Sequence, residues 1–236
     1  MVDKWKSLSN DAFGGQGIFT AALSGGNTPR DFYVALAGLT DEGMWRKAHV
    51  FMVDERYVPP TDSDSNYGML SRLLLDKVPI PAGNRHPVPV QEKTLEKTAE
   101  NYEAAIRTFF RLGKQEFPQF DLIMLGLGED GHTASLFPSQ DALKEREHLV
   151  YPVRKAPKAH ARVTLTLPVI NHARNVVFLV TGREKAAAAK GVLEERDPAL
   201  PAFMIRPETG NLSFLLDRAA ASLLSAEFQH NCGTVT

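Results

Sequence analysis

The chain has 236 residues, 43% of them apolar and 23% charged, with a formal net charge of −1; this is a globular composition that excludes a disordered chain and offers no surplus of Lys and Arg for a nucleic-acid footprint. A single cysteine, Cys232, excludes a disulfide framework and a cysteine-built zinc site. Met1 to Gly17 lacks the apolar stretch of a signal peptide, and no run approaches the ~18 apolar residues of a membrane span, so a cytoplasmic protein without membrane or nucleic-acid partners is expected.

Ile18–Leu23 (IFTAAL) reads as a buried strand ending in Ser24-Gly25-Gly26-Asn27-Thr28-Pro29. Thr28 suits an N-cap and Pro29 a first helical position, so a helix is expected to about Leu36, with Gly38 as its stop. Ala48–Val53 is a second strand, running into Asp54-Glu55-Arg56. A helix around Tyr67–Leu75 follows, then a proline-rich connection over Pro79–Pro89, then a long amphipathic helix over Thr94–Leu112. Leu122–Leu127 is a third strand, ending in Gly128-Glu129-Asp130-Gly131-His132. Arg162–Leu167 and Val176–Val180 are further strands, and an alanine-rich helix starts after Gly182. Phe203–Ile205 and Leu212–Leu215 are weaker strand candidates, and Asp217–Leu224 is expected as a closing helix.

Strands alternating with helices predict one α/β domain over 1–236, built on a largely parallel sheet with helices on both faces. Ligands in such sheets sit beyond the carboxyl ends of the strands, and three strands here end in glycine-rich or charged turns. Gly25 and Gly26 would let a phosphate approach the backbone ahead of a helix start; a tight turn with no ligand explains them equally well. Asp54 and Arg56 can serve acid–base and anion-binding roles, or form a surface ion pair. Gly126–Gly131 spells GxGxxG, but Pro138 follows too soon for the long helix a dinucleotide site needs. What remains there is Asp130 two residues from His132, a base with a carboxylate to set its tautomer. The other six histidines have no such setting. Arg162 begins a strand, and Lys185 lies in the first turn of a helix, where a cation opposes the dipole unless an anion intervenes.

SGGNTPR at 24–30, DERYVP at 54–59, SNYGML at 65–70, LGLGEDGHTASLFP at 125–138, RVTLTLPVIN at 162–171 and TGREKA at 181–186 resemble the 6-phosphogluconolactonases, in order and spacing. The resemblance implies a Rossmann-like fold and hydrolysis of 6-phospho-D-glucono-1,5-lactone to 6-phosphogluconate, with no cofactor and no metal. It makes His132 the base that activates water, with Asp130 beside it. Gly25, Gly26, Asn27, Thr28, Asp54, Arg56, Arg162 and Lys185 become phosphate and sugar contacts. Glucosamine-6-phosphate deaminases share the fold and the Asp-Gly-His motif, but resemble a Glu where this chain has Phe137. A non-catalytic sugar-phosphate sensor is the third reading.

In one respect the chain departs from that family, whose members usually carry a strand and a long helix before the SGG strand. Only about seventeen residues precede Ile18. The first strand is therefore expected to be shortened or missing, leaving a neighbouring strand with unpaired backbone groups along one edge and Met1–Gly17 as a short amphipathic helix over that side. A monomer or weak dimer of marginal stability is expected.

Overall fold

A computed structural model describes residues 1–39, 41–156 and 160–231; Cys232 lies outside them. In chain order the elements are α1 (Val2–Gly15), β1 (Phe19–Leu23), α2 (Arg30–Ala37), α3 (Glu42–Lys47), β2 (Ala48–Met52), β3 (Asp54–Arg56), α4 (Asn66–Leu70), β4 (Arg85–His86), α5 (Leu95–Phe110), β5 (Leu122–Leu125), β6 (Val150–Val153), β7 (Arg162–Leu165), α6 (Leu167–Asn171), β8 (Asn175–Val180), α7 (Ala186–Lys190), β9 (Asn211–Leu216) and α8 (Ala226–Asn231).

Six strands form a sheet in the order β4-β2-β1-β5-β8-β9, and every pairing in it is parallel. Every residue of β1 and β5 is buried, as the centre of a parallel sheet covered on both faces requires. Their apolar runs leave no alternation, so the faces were not legible but the strands were. A smaller antiparallel sheet, β3-β7-β6, stands beside the first. Val53 is the junction between them. Its N–H donates to Leu23 O in the large sheet at 3.0 Å, and its carbonyl accepts from Leu165 N in the small one at 2.8 Å. One continuous stretch of chain thus leaves the parallel sheet at Met52 and enters the antiparallel one at Asp54. The RVTLTL strand belongs to this second sheet and not to the parallel one.

The strand expected to be missing is absent: no strand precedes Phe19 among the described residues. Its absence does not leave β1 unpaired, since β2 and β5 flank it. The segment before it is the fourteen-residue helix α1. Trp5 anchors that helix at 0% exposure, with its ring 4.9 Å from Phe19 and 5.9 Å from Trp45, centre to centre. The sheet edges are instead the two-residue β4 and β9.

Three local readings also change. Thr28 caps nothing: its Oγ1 accepts from the Thr181 hydroxyl at 3.3 Å, and α2 begins at Arg30 with Pro29 in the flanking position. Pro201–Met204 is a short 3-10 turn where a strand was expected at Phe203–Ile205. Asp217–Leu224 folds as successive turns, because the Asp217 carboxylate accepts from Gly182 N and Ala220 N and ties the segment back to the end of β8. The weaker strand at Leu212–Leu215 does form, within β9.

Candidate active site

The ends of β1, β5 and β8, together with β3 and β7, enclose a cleft of about 520 Å³. Gly25, Gly26, Asn27, Thr28, Asp54, Arg56, His132, Arg162 and Lys185 all line it. Asp130 does not; it stands behind His132. Residues more than a hundred positions apart therefore meet because three crossovers return the chain to the same end of the sheet.

His132 is placed by its own loop. Gly128 N donates to His132 O at 2.8 Å and Gly131 N to Gly128 O at 3.0 Å, folding the loop over itself. A side chain at Gly128 would put its Cβ 2.0 Å from His132 Nδ1, so the imidazole fits only over a glycine. Asp130 Oδ1 accepts from His132 N at 3.1 Å and from His132 Nδ1 at 2.5 Å. Burial would raise the Asp130 carboxyl, but the hydrogen bonds from the His132 ring and backbone, with the ring's charge, outweigh it and hold Asp130 below the ordinary aspartate value. The ionised carboxylate keeps the proton on Nδ1 and leaves Nε2 with its lone pair, the arrangement of a base. Of the described histidines, His132 alone lines the cleft.

Asp54 is a hub. Its carboxylate accepts from Ser135 Oγ at 2.6 Å and Asn66 Nδ2 at 3.3 Å, and Arg162 Nη1 lies 3.9 Å away. The loop after β5, the start of α4 and the start of β7 thus converge on one buried carboxylate. Glu55, at 1% exposure, does the same for the loop before α4. It accepts from Arg56 N, Asn66 N and Tyr67 N at 2.7–2.8 Å and from Ser65 Oγ at 3.1 Å. Burial raises its pKa, and the three backbone donors oppose that rise. Asn66 in turn seats against the SGG loop, where a Cβ on Gly25 would fall 1.8 Å from Asn66 Oδ1. Glu55, Asn66 and Ser135 escaped the sequence reading. Each lies in a stretch that carries the family resemblance, at 54–59, 65–70 and 125–138, but nothing local sets it apart from its neighbours there.

The cations divide into two groups. Arg56 and Arg162 are register partners on β3 and β7. Both carry a buried Nε without a hydrogen-bond partner, and burial pulls Arg162 below the usual arginine value. Arg56 Nη1 donates to Asp64 O at 2.6 Å. Across the cleft, Lys185 Nζ stands 3.7 Å from Glu129 Oε1, an ion pair with an exposed carboxylate that an anion can displace. Among the described residues no group of three or more His, Cys, Asp or Glu side chains stands close enough to hold a metal ion.

The family of glucosamine-6-phosphate isomerases/6-phosphogluconolactonase matches residues 1–214. The chain belongs to this family. Within it, the chain is 47% identical to a 6-phosphogluconolactonase of Synechocystis sp. over 212 residues, covering 89% of this chain and 85% of that one. It is 40% identical to the human 6-phosphogluconolactonase over 222 residues, covering 92% and 84%. The 6-phosphogluconolactonase structure from Trypanosoma brucei superposes with a TM-score of 0.83 at 33% identity, over 95% of this chain and 93% of that one. The family's description spans two chemistries, and Phe137 bears on which one this site can perform. Its ring lies 4.6 Å from that of His132 and is buried, so no carboxylate supports the imidazole from that side.

Proposed function

We propose that this chain hydrolyses 6-phospho-D-glucono-1,5-lactone to 6-phospho-D-gluconate, with His132 as the base. The observation that carries the reading is the Asp130–His132 pair, its free Nε2 in a cleft shared with Arg56, Arg162 and Lys185; the similarity to named 6-phosphogluconolactonases supports the same substrate.

The chemistry needs little more than these groups. A δ-lactone is an activated ester, so the protein has to hold it, deprotonate one water and steady one oxyanion. His132 Nε2 takes a proton from water as the oxygen attacks C1. The tetrahedral intermediate then collapses, the C1–O5 bond breaks, and O5 leaves as a hydroxyl with the proton held on Nε2. Asp130 stabilises the imidazolium between the two steps. Proton transfer of this kind contributes roughly 10²- to 10⁴-fold. Lys185 and the two arginines hold the phosphate and sugar, and the backbone of Gly25–Thr28 closes the pocket around them.

The reading extends to a single sugar-phosphate lactonase domain, monomeric or weakly dimeric and cytoplasmic, with a phosphorylated sugar lactone as its partner. Among the described residues the large exposed apolar side chains are Val34, Leu212 and Leu223, which lie apart in the sequence, and no helix is long and apolar enough to cross a membrane.

The test generates the lactone in place and reads 6-phosphogluconate with a second dehydrogenase. Turnover well above spontaneous opening is expected. Ammonia released from glucosamine 6-phosphate without lactone hydrolysis would favour the isomerase chemistry. Tight binding of 6-phosphogluconate without turnover would favour a sensor.

A further inference from the structure

Phe137 touches two groups of the site that do not touch each other through any hydrogen bond. Its ring centre is 4.6 Å from the His132 ring at an interplanar angle of 42°. The Arg162 guanidinium carbon lies 5.5 Å from the same ring centre. The ring is 3% exposed and its place is fixed by the residues before it. Leu136 N donates to Thr133 O at 2.9 Å. Ser135, the second residue before it, is bound through its hydroxyl to Asp54 and through its N–H to Thr164 Oγ1.

Arg162 needs such a neighbour. Its side chain is almost fully buried and its Nε has no hydrogen-bond partner, while the nearest carboxylate oxygen is 3.9 Å off. A desolvated guanidinium gains most from an aromatic face. His132 needs one for a different reason: Asp130 fixes one ring nitrogen, but a single hydrogen bond leaves the ring free to rock about it. A wall against the ring sets the remaining angle, and with it the direction of Nε2.

We propose that Phe137 is a positioning residue for the lactone hydrolysis proposed above, on which this inference rests. Its π-face steadies the buried Arg162 cation, and its ring sets the orientation of the His132 base. It couples the anion-binding side of the cleft to the proton-transferring side. Size serves the contact with His132; the contact with Arg162 needs the ring's electrons as well.

A fluorine series separates the two. Phe137 is replaced in the full-length protein by 4-fluoro-, 3,5-difluoro- and 3,4,5-trifluorophenylalanine, which keep the ring and drain its face, and by leucine, which removes it. A stepwise fall in kcat/KM across the series is expected, totalling roughly 3- to 10-fold, mostly in KM because Arg162 binds. Phe137→Leu should lose roughly 10- to 100-fold, with kcat falling as well as KM. Melting temperatures of the fluorinated proteins should stay with the wild type. A flat series on an active wild-type enzyme overturns the inference and leaves the lactonase reading intact. An inactive wild type overturns the lactonase reading. The contact is read without substrate by the His132 ring proton shifts, which should move between wild type and Phe137→Leu; unmoved shifts overturn the inference whatever the activity.

Discussion

His132 owes its place to an aspartate on one side and to the absence of a side chain at Gly128 on the other. The prediction at this scale is direct. His132→Ala should lower kcat by roughly 10²- to 10⁴-fold while 6-phosphogluconate binding, measured by calorimetry, changes little. Wild-type turnover after correction for spontaneous opening would remove His132 from the chemistry. Lys185→Ala tests the anion side. KM should rise roughly 10-fold or more for the phosphorylated lactone and much less for plain gluconolactone; equal changes would show that Lys185 does not read the phosphate. That both residues reach one cleft was legible in sequence because each sits in a turn that follows a strand. Asp54 was legible only as a charged residue at a strand end. That Ser135 and Asn66 saturate its carboxylate depends on contacts 81 and 12 positions away, which no local pattern encodes.

At the scale of elements, the loop before α4 is held by a buried carboxylate. Glu55 serves four donors with two oxygens. Glu55→Gln keeps the shape but turns one oxygen into an N–H₂ that faces donors. Stability should fall by about 1–3 kcal/mol, amide exchange at Asn66 and Tyr67 should quicken, and KM should rise more than kcat falls, since the loop lines the cleft but does not reach His132. Unchanged exchange at those two amides would show that the clamp is dispensable. The elements legible in advance were the unbroken apolar runs of β1, β2, β5 and β8 and the amphipathic α5, where the Thr94 hydroxyl accepts from Lys97 N at 3.1 Å. The six-residue α3, the short β6 and the turns of Asp217–Leu224 were not, because tertiary hydrogen bonds and not propensity decide segments of that length.

For the whole molecule, the parallel sheet was legible from the alternation of strands and helices, and the second sheet was not. Nothing in the apolar run from Ala48 onward marks Val53 as the point where the chain changes partners. A pH prediction belongs here too. His86 packs on Phe51 with ring centres 4.0 Å apart and faces His49, its Nε2 3.2 Å from His49 Nδ1. Burial, and then the charge of His49, lower His86 from 6.5 to about 4. Between those values the unfolded chain takes up a proton that the folded one refuses, so stability is full above pH 6.5 and declines as pH falls toward 4. His86→Phe keeps the stack and removes the proton. Its melting temperature should fall less steeply than that of the wild type over this window; parallel curves would show that His86 does not contribute.

The order of strands in the large sheet also sets a schedule for its assembly. β1 and β2 are neighbours in sequence and in space and can pair as soon as both exist. The other side of β1 waits for β5, and the bonds that join them, from Thr20 to Asp121 and from Ser24 to Met124, close loops of a hundred residues or more. Such closures are entropically costly and slow the folding of the chain that depends on them. During synthesis the glycine loop after β1 therefore exists long before the histidine it will face. The cleft can form only once Arg162 and Lys185 have also been made, so a nascent chain has no site to occupy, and binding of a sugar phosphate cannot assist its folding until most of the sheet is already in place.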